Sequence, residues 1–247
     1  MVISANTLFH FTMDYTTLLS ILKTKFYPRL CVEKCLWDNK ENLEYAIPVV
    51  CFCDIPLSSI SDHAAKYGGY AIGLRKSWAI DHGVSPILYV HNKSVFVQQC
   101  KESFKGAIEL AGIDGTNSPE KLSKALSMFF MMKQYEGVSI IDGKHKKVRY
   151  YDEREWRYIP SNCEKTLNFL HMCDFSDKQK WALINKENEQ YGVSFTPDDI
   201  NYIIVQCEEE IVPLIHELSY IKGSFPHKSV ELLTSRILSM ERIREDF

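Results

Sequence analysis

Leu8-Phe9-His10-Phe11-Thr12, followed by Met13-Asp14-Tyr15-Thr16-Thr17-Leu18-Leu19-Ser20-Ile21-Leu22, fixes how the chain begins. The first five residues read as a short aromatic strand. The apolar residues from Thr17 to Leu22 fall at helical spacing, and Asp14 to Thr16 offer N-caps. The opening is therefore strand, turn, helix. Farther along, Ile47-Pro-Val-Val-Cys-Phe-Cys53 reads as a continuous apolar strand that ends in Asp54-Ile-Pro-Leu-Ser-Ser. A short helix carrying His63 and Tyr67 follows, and Gly68-Gly69 ends it. Tyr70-Ala-Ile-Gly-Leu74 and Ile87-Leu-Tyr-Val90 are the next strands, the second placed after a Ser85-Pro86 turn.

The pattern turns helical from about 94 to 136, with a break at Asp114-Gly-Thr-Asn-Ser-Pro119 and an apolar run Met128-Phe-Phe-Met-Met132. This helical pair reads as a layer on the sheet or an insertion between its halves. Strands resume at Val138-Ser-Ile-Ile141 and at Trp156-Arg-Tyr-Ile159, where Pro160 stops the second. Phe169 to Asn188 is mixed and polar. Ile200 to Val205 is a buried-type strand, and Glu208-Glu209-Glu210 after it suits the positive end of a helix dipole. Residues 232–247 read as a short strand and a final helical turn. With no repeat and no linker, the expectation is one α+β domain spanning residues 1–247.

Of the 247 residues, 45% are hydrophobic and 25% charged, the balance of a globular domain, which excludes disorder and a coiled coil. Twenty-nine Lys and Arg against 32 Asp and Glu give a net charge of −3, so binding to nucleic acid or anionic lipid requires a local patch. No apolar run reaches the roughly 18 residues of a membrane span. The first residues, Met-Val-Ile-Ser-Ala-Asn-Thr, have neither a basic segment nor a long apolar core, so the expected location is the cytoplasm. The eight cysteines (31, 35, 51, 53, 100, 163, 173 and 207) lack C-x-x-C spacing. They read as reduced thiols and not as metal ligands.

Two stretches place polar groups where a simple core does not need them. His10 is an imidazole within an aromatic strand, and must find hydrogen-bond partners or face a cleft. In Tyr150-Tyr-Asp-Glu-Arg-Glu-Trp-Arg-Tyr158, strand alternation sends Glu153, Glu155 and Arg157 to one face and Arg154, Trp156 and Tyr158 to the other. Carboxylates at i and i+2 are about 7 Å apart, which raises the pKa of one of them unless a cation or a substrate hydroxyl intervenes. Such a pair suits work on a ribose; an edge strand with a solvated charged face explains it too. The basic run Lys144-His-Lys-Lys-Val-Arg149 lies just before it, beside Tyr150, Tyr151, Trp156 and Tyr158. Lys146, Lys147 and Arg149 could contact a pyrophosphate or nucleic-acid phosphates, or form a solvated hairpin. Gly68-Gly-Tyr-x-x-Gly73 is too short and too late relative to a strand for a P-loop or a dinucleotide fingerprint.

Several segments together resemble the AbiGi family of bacterial abortive phage resistance proteins. They are Phe-His-Phe-Thr from Phe9, Val-Cys-Phe-Cys-Asp-Ile-Pro-Leu-Ser from Val50, the stretch from His63 to Leu74, Glu153-x-Glu-Trp-Arg157, and the tail Arg236-Ile-x-x-x-Glu-Arg-Ile-Arg-Glu-Asp-Phe247. The resemblance implies a role in anti-phage defence within a two-gene system, as effector or as antitoxin, with a cognate partner from a neighbouring gene.

The order of these segments also resembles, more distantly, ADP-ribosyltransferases of the poly-ADP-ribose-polymerase and DarT kinds. That resemblance implies a split mixed sheet with a helical insertion at about 94–136, and NAD as co-substrate for modifying a protein or nucleic-acid acceptor. It implies that His10 binds the adenosine ribose, that His63 or Tyr67 flanks the nicotinamide, and that Thr12 and Arg154 join them as cofactor contacts. Glu155 would hold the nicotinamide ribose hydroxyl, and Glu153 would direct the acceptor. An anion beside a developing oxocarbenium ion is the stabilisation such a transition state requires. The chain departs from the pattern at Cys51, where those enzymes have a second Tyr, and at Phe11, where they have Gly. Three readings stay open: a transferase, a degenerate transferase-like fold serving as antitoxin or binding module, and an RNA-binding or RNA-cleaving protein.

Overall fold

Asp14 starts the first helix. Its Oδ1 accepts the Thr17 N–H at 2.8 Å and its Oδ2 the Thr17 hydroxyl at 2.8 Å, a cap worth about 1 kcal/mol. The helix Tyr15–Lys23 buries Leu18 and Leu22, and the strand before it is Thr7–Thr12. A computed structural model of the chain describes residues 5–34, 44–111, 128–141, 144–160, 170–171 and 177–246. Within it the chain divides into two compact units of interleaved sequence, crossing between them at 27/28, 50/51, 85/86 and 191/192. The second crossing falls inside a strand, Glu44–Cys53. A division of this kind leaves no linker in the sequence.

The first unit is a mixed sheet with helices. Thr7–Thr12 pairs antiparallel with Tyr70–Arg75, register His10↔Ile72, and meets Cys53 at Phe9 on its other side. Ile200–Val205 lies antiparallel to Tyr70–Arg75 with a bulge between Ile200 and Tyr202, and Ile237–Ser239 runs parallel to Ile200–Val205. One face of this sheet packs Phe9, Cys53, Ile55, Ala71 and Ile204 against the helices Ile60–Tyr67 and Met240–Asp246. The other carries an aromatic group, with Phe26 5.3 Å from Phe52 and 5.0 Å from Phe195 between ring centroids, and Trp78 6.0 Å from Phe26. Gly68 ends the helix that carries His63 and Tyr67 because its φ is +107° and a Cβ there would stand 2.0 Å from the Thr12 carbonyl oxygen.

In the second unit Arg29–Lys34 pairs antiparallel with Glu44–Val49, and Leu170–His171 lines Tyr45 and Ala46. Leu30, Ala46, Trp181 and Ile184 pack together, which seats the helix Lys178–Asn188. Asp177 caps that helix by accepting the N–H groups of Gln179 and Lys180. Leu88–Val90 runs parallel to Met132–Gln134, and Glu136–Ile141 forms a hairpin with Lys144–Arg149. The helix Val95–Ala111 opens the region expected to be helical.

Most expected elements form, and several differ. The helical pattern expected to reach residue 136 stops earlier, because Met132–Gln134 is drawn into parallel pairing with Leu88–Val90; the break at Asp114 to Pro119 lies outside the described residues. Glu153, expected to share a strand face with Glu155, lies in a turn of 3-10 helix, Tyr150–Glu153, and the strand expected from Trp156 starts at Glu155. Arg29–Lys34 and Lys178–Asn188 carry no clear apolar period in the sequence, and form by pairing with Glu44–Val49 and by packing on Leu30 and Ala46. Cys31, Cys51, Cys53, Cys100 and Cys207 are free thiols, Cys53 and Cys100 buried; Cys35, Cys163 and Cys173 lie outside the described residues. Burial foremost, with Glu33 nearby, pushes the Cys31 thiol up to about 11, which makes it a poor nucleophile.

Candidate functional site

The second unit gathers five ionisable side chains. Lys133, at the end of the apolar run from Met128, places its Nζ 2.8 Å from Glu153 Oε2 and 2.9 Å from Glu155 Oε2. Arg157 donates from Nε to Glu155 Oε1 at 2.7 Å, from Nη2 to Glu155 Oε2 at 3.3 Å and to Glu33 Oε1, and from Nη1 to the Phe130 carbonyl at 2.7 Å. Its side chain is 0% exposed, and the Glu153 and Glu155 side chains are 6% and 8% exposed. The backbone makes this convergence possible at Arg154, whose φ of +46° is left-handed. That residue closes the 3-10 turn and opens the strand, so Glu153 and Glu155 on either side of it reach the same ammonium.

The cations decide the protonation of Glu155. Burial alone would raise Glu155, but Arg157 and Lys133 override it and hold the carboxyl at about 2. Burial lowers Lys133 less than Glu155, Glu153 and Glu33 raise it, so the ammonium stays charged. Glu33 lies above its ordinary value because burial outweighs the attraction of Arg157. Tyr89 completes the site, its hydroxyl accepting the Glu155 N–H at 2.9 Å; burial first of all pushes its pKa up. Lys133 thus stands as a cation between the two closely spaced glutamates. Neither Lys133 nor Glu33 stands out in the sequence as a site residue. A charged residue ending the run Met128 to Met132 is the signal for the first; the strand holding the second gives none.

Next to the cluster, the basic strand and Tyr151 lie at the surface. Lys144, His145, Lys146, Lys147 and Arg149 are exposed. Lys147 pairs with Glu136 at 3.1 Å and Arg149 approaches Asp152 at 3.8 Å. Lys133 Nζ stands 5.3 Å from the centre of the Tyr150 ring.

The remaining expected cofactor contacts belong to the first unit and fall on both faces of its sheet. His10 turns toward Phe26 and Phe52, 5.1 and 5.7 Å between centroids. Its Nδ1 lies 2.8 Å from the Cys51 carbonyl oxygen; since a carbonyl only accepts, Nδ1 carries the proton. Burial lowers the His10 pKa, the hydrogen bond opposing it, and the ring is neutral at pH 7. His63 lies on the opposite face, 4.9 Å from Phe11 and 4.6 Å from Tyr67. Thr12 donates its hydroxyl to the Asp14 carbonyl at 3.2 Å. These residues do not fit NAD in the layout the transferase resemblance implies. His10 and His63 are separated by the sheet, and both carboxylate oxygens of Glu155 are held by cations.

A family model described as "Putative abortive phage resistance protein AbiGi, antitoxin" matches residues 24–206. A protein of Lactococcus lactis subsp. cremoris described as "Abortive phage resistance protein AbiGi" is 30% identical over 254 residues, covering 90% of this chain and 99% of its own. No solved structure matches the chain. Among the described residues no helix is long and apolar enough to cross a membrane.

Proposed function

Since the chain belongs to the AbiGi family of abortive phage resistance proteins, we propose that it serves abortive infection as an antitoxin-type component. On this reading it acts by binding a cognate partner, and Glu155 performs no chemistry. The observation that carries it is the state of Glu155. A transferase needs that carboxylate open toward a sugar, whereas here Arg157 and Lys133 occupy both oxygens and the residue is 7% exposed. Freeing it would strand a buried guanidinium, which costs several kcal/mol. The antitoxin description of the family model supports the same reading.

The rival is an NAD-dependent ADP-ribosyltransferase acting on a protein or nucleic-acid acceptor, and one pair of measurements separates the two. The chain expressed alone should leave growth unaffected, and co-expressed with the product of its neighbouring gene it should relieve toxicity and co-purify with that product. Incubated with labelled NAD and cell extract, it should release no nicotinamide and label no acceptor. Nicotinamide release that Glu155→Gln abolishes, with the thermal midpoint showing a folded variant, would establish the transferase and remove the binding reading.

A further inference from the structure

Beside the ion cluster, the second unit carries a strand of exposed cations. Lys144–Arg149 presents Lys144, Lys146, Lys147 and Arg149 to solvent along one strand of a hairpin, in a chain whose net charge is −3. Two of these cations meet acids that compete weakly: the Lys147–Glu136 pair is 73% and 35% exposed and the Arg149–Asp152 pair 57% and 63%. Exposed pairs of this kind contribute little and exchange readily for another anion. The strand runs directly into the 3-10 turn Tyr150–Glu153, which brings Tyr151 to the surface, 51% exposed.

Tyr151 is held, not dangling. Tyr89 meets its ring edge-on at 5.3 Å and 75°, and Tyr135 lies at 5.4 Å and 33° on a neighbouring strand end. Backbone hydrogen bonds fix that arrangement, from Tyr151 N–H to the Tyr135 carbonyl at 3.2 Å and from Tyr135 N–H to the Val90 carbonyl at 2.8 Å. The Tyr89 hydroxyl is anchored by the Glu155 N–H. A braced, half-exposed ring follows a strand whose exposed cations lie on both faces of a two-stranded hairpin, Lys144 and Lys146 on one and Lys147 and Arg149 on the other, which matches a flexible polyanion that carries planar groups.

We propose that this surface, Lys144, Lys146, Lys147 and Arg149 with Tyr151, binds single-stranded nucleic acid. The cations lie along the phosphates, and an unpaired base stacks on Tyr151. The inference goes beyond the antitoxin reading and does not depend on it, since it concerns neither Glu155 nor the cognate partner.

Fluorescence anisotropy with the full chain tests it, using labelled single-stranded RNA and DNA of about 16 nucleotides and the matching duplex, from about 50 to 200 mM salt. Single strands should bind more tightly than the duplex, the two single-stranded probes showing whether the sugar matters. The double variant Lys144→Glu, Lys146→Glu should weaken binding and flatten the dependence of log K on log salt by about 0.7 for each phosphate that is no longer neutralised. Tyr151→Ala should weaken it at least about fivefold with the salt slope kept, while Tyr151→Phe binds as the natural chain does. Thermal midpoints check that each variant is folded; Tyr151→Ala should lower its midpoint slightly through the lost contacts with Tyr89 and Tyr135, which Tyr151→Phe keeps. The proposal fails if no single strand binds at the lowest salt, if the duplex binds equally well, or if Tyr151→Ala binds normally. It fails as well if a poly-glutamate peptide displaces the strand at equal charge concentration, which would assign the surface to an acidic protein.

Discussion

His10 in the first unit and Glu155 in the second are each a titratable group inside a β-rich core, and the two cores treat them in opposite ways. The first surrounds His10 with Phe26 and Phe52 and gives it one backbone carbonyl. Burial is the largest influence there, and the imidazole gives up its charge. The second surrounds Glu155 with Lys133 and Arg157, and the carboxylate keeps its charge against a comparable loss of water. A buried group without a counter-ion becomes neutral, and one with two becomes a fixed charge on which other side chains depend. The consequence is an inequality in what each core loses when it is altered.

The largest effect should come from Arg157→Met. The side chain is 0% exposed and joins Glu33, Glu155 and the Phe130 carbonyl, so its removal takes one of two counter-ions from the buried Glu155 carboxylate. A loss of about 3–5 kcal/mol is expected, read from urea denaturation. Adding Glu155→Met should recover part of that loss, because the stranded charge and not the missing hydrogen bonds accounts for most of it. A loss under about 1 kcal/mol would mean that water reaches the cluster and that the contrast with the His10 core is false.

A smaller effect is expected at His10, with a distinct pH signature. Its folded pKa lies below 6.5, so the unfolded chain takes up a proton first as pH falls. Stability from the neutral ring is present above 6.5 and is lost as pH falls from there to the folded pKa. His10→Phe keeps the aromatic packing but loses the hydrogen bond to the Cys51 carbonyl, a cost of about 1 kcal/mol at pH 7. The variant should lose the stability change in the window just below 6.5, measured by thermal midpoints across pH, and should retain any protective activity against phage. Loss of protection in a folded His10→Phe chain would show that the ring does more than fill the core.

Much of the first unit was legible because its signals are local. The aromatic strand, the Asp14 cap, the helix ending at Gly68 and the apolar runs at Ile47 to Cys53 and Ile200 to Val205 each satisfy a nearest-neighbour rule. Glu153 and Glu155 were legible as a pair, but not the reason they share a partner, since strand alternation does not foresee a left-handed Arg154. The cluster itself was hidden. Glu33 is 124 residues from Arg157 and Lys133 is 20 and 22 residues from its two glutamates, and only pairing between distant strands brings them together. The division into two units was hidden for the same reason, since four chain crossings leave no composition boundary.

The smallest expected effect, Glu33→Gln, sharpens the contrast from inside the cluster. Glu33 and Glu155 share Arg157, yet they are perturbed in opposite directions from the same ordinary value of 4.5. Glu155, lowered to about 2 by Arg157 and Lys133 against its burial, contributes stability that is present above 4.5 and lost as pH falls from 4.5 to about 2. Glu33 is raised, burial outweighing Arg157, so its stabilising form is the protonated one. That contribution is full below 4.5 and is lost as pH rises through 4.5 to the folded pKa. Glutamine imitates the protonated carboxyl. Glu33→Gln should therefore change stability at pH 7 by less than about 1 kcal/mol, flatten the profile just above 4.5, and leave the fall below 4.5 intact. Glu155→Gln should do the reverse, removing the acid fall and costing roughly 3 kcal/mol at pH 7. If Glu33→Gln costs as much as Glu155→Gln in denaturation at pH 7, then both acids are fixed charges. Arg157 would then be compensated twice over, and the cluster would hold no carboxyl that yields to burial as His10 does.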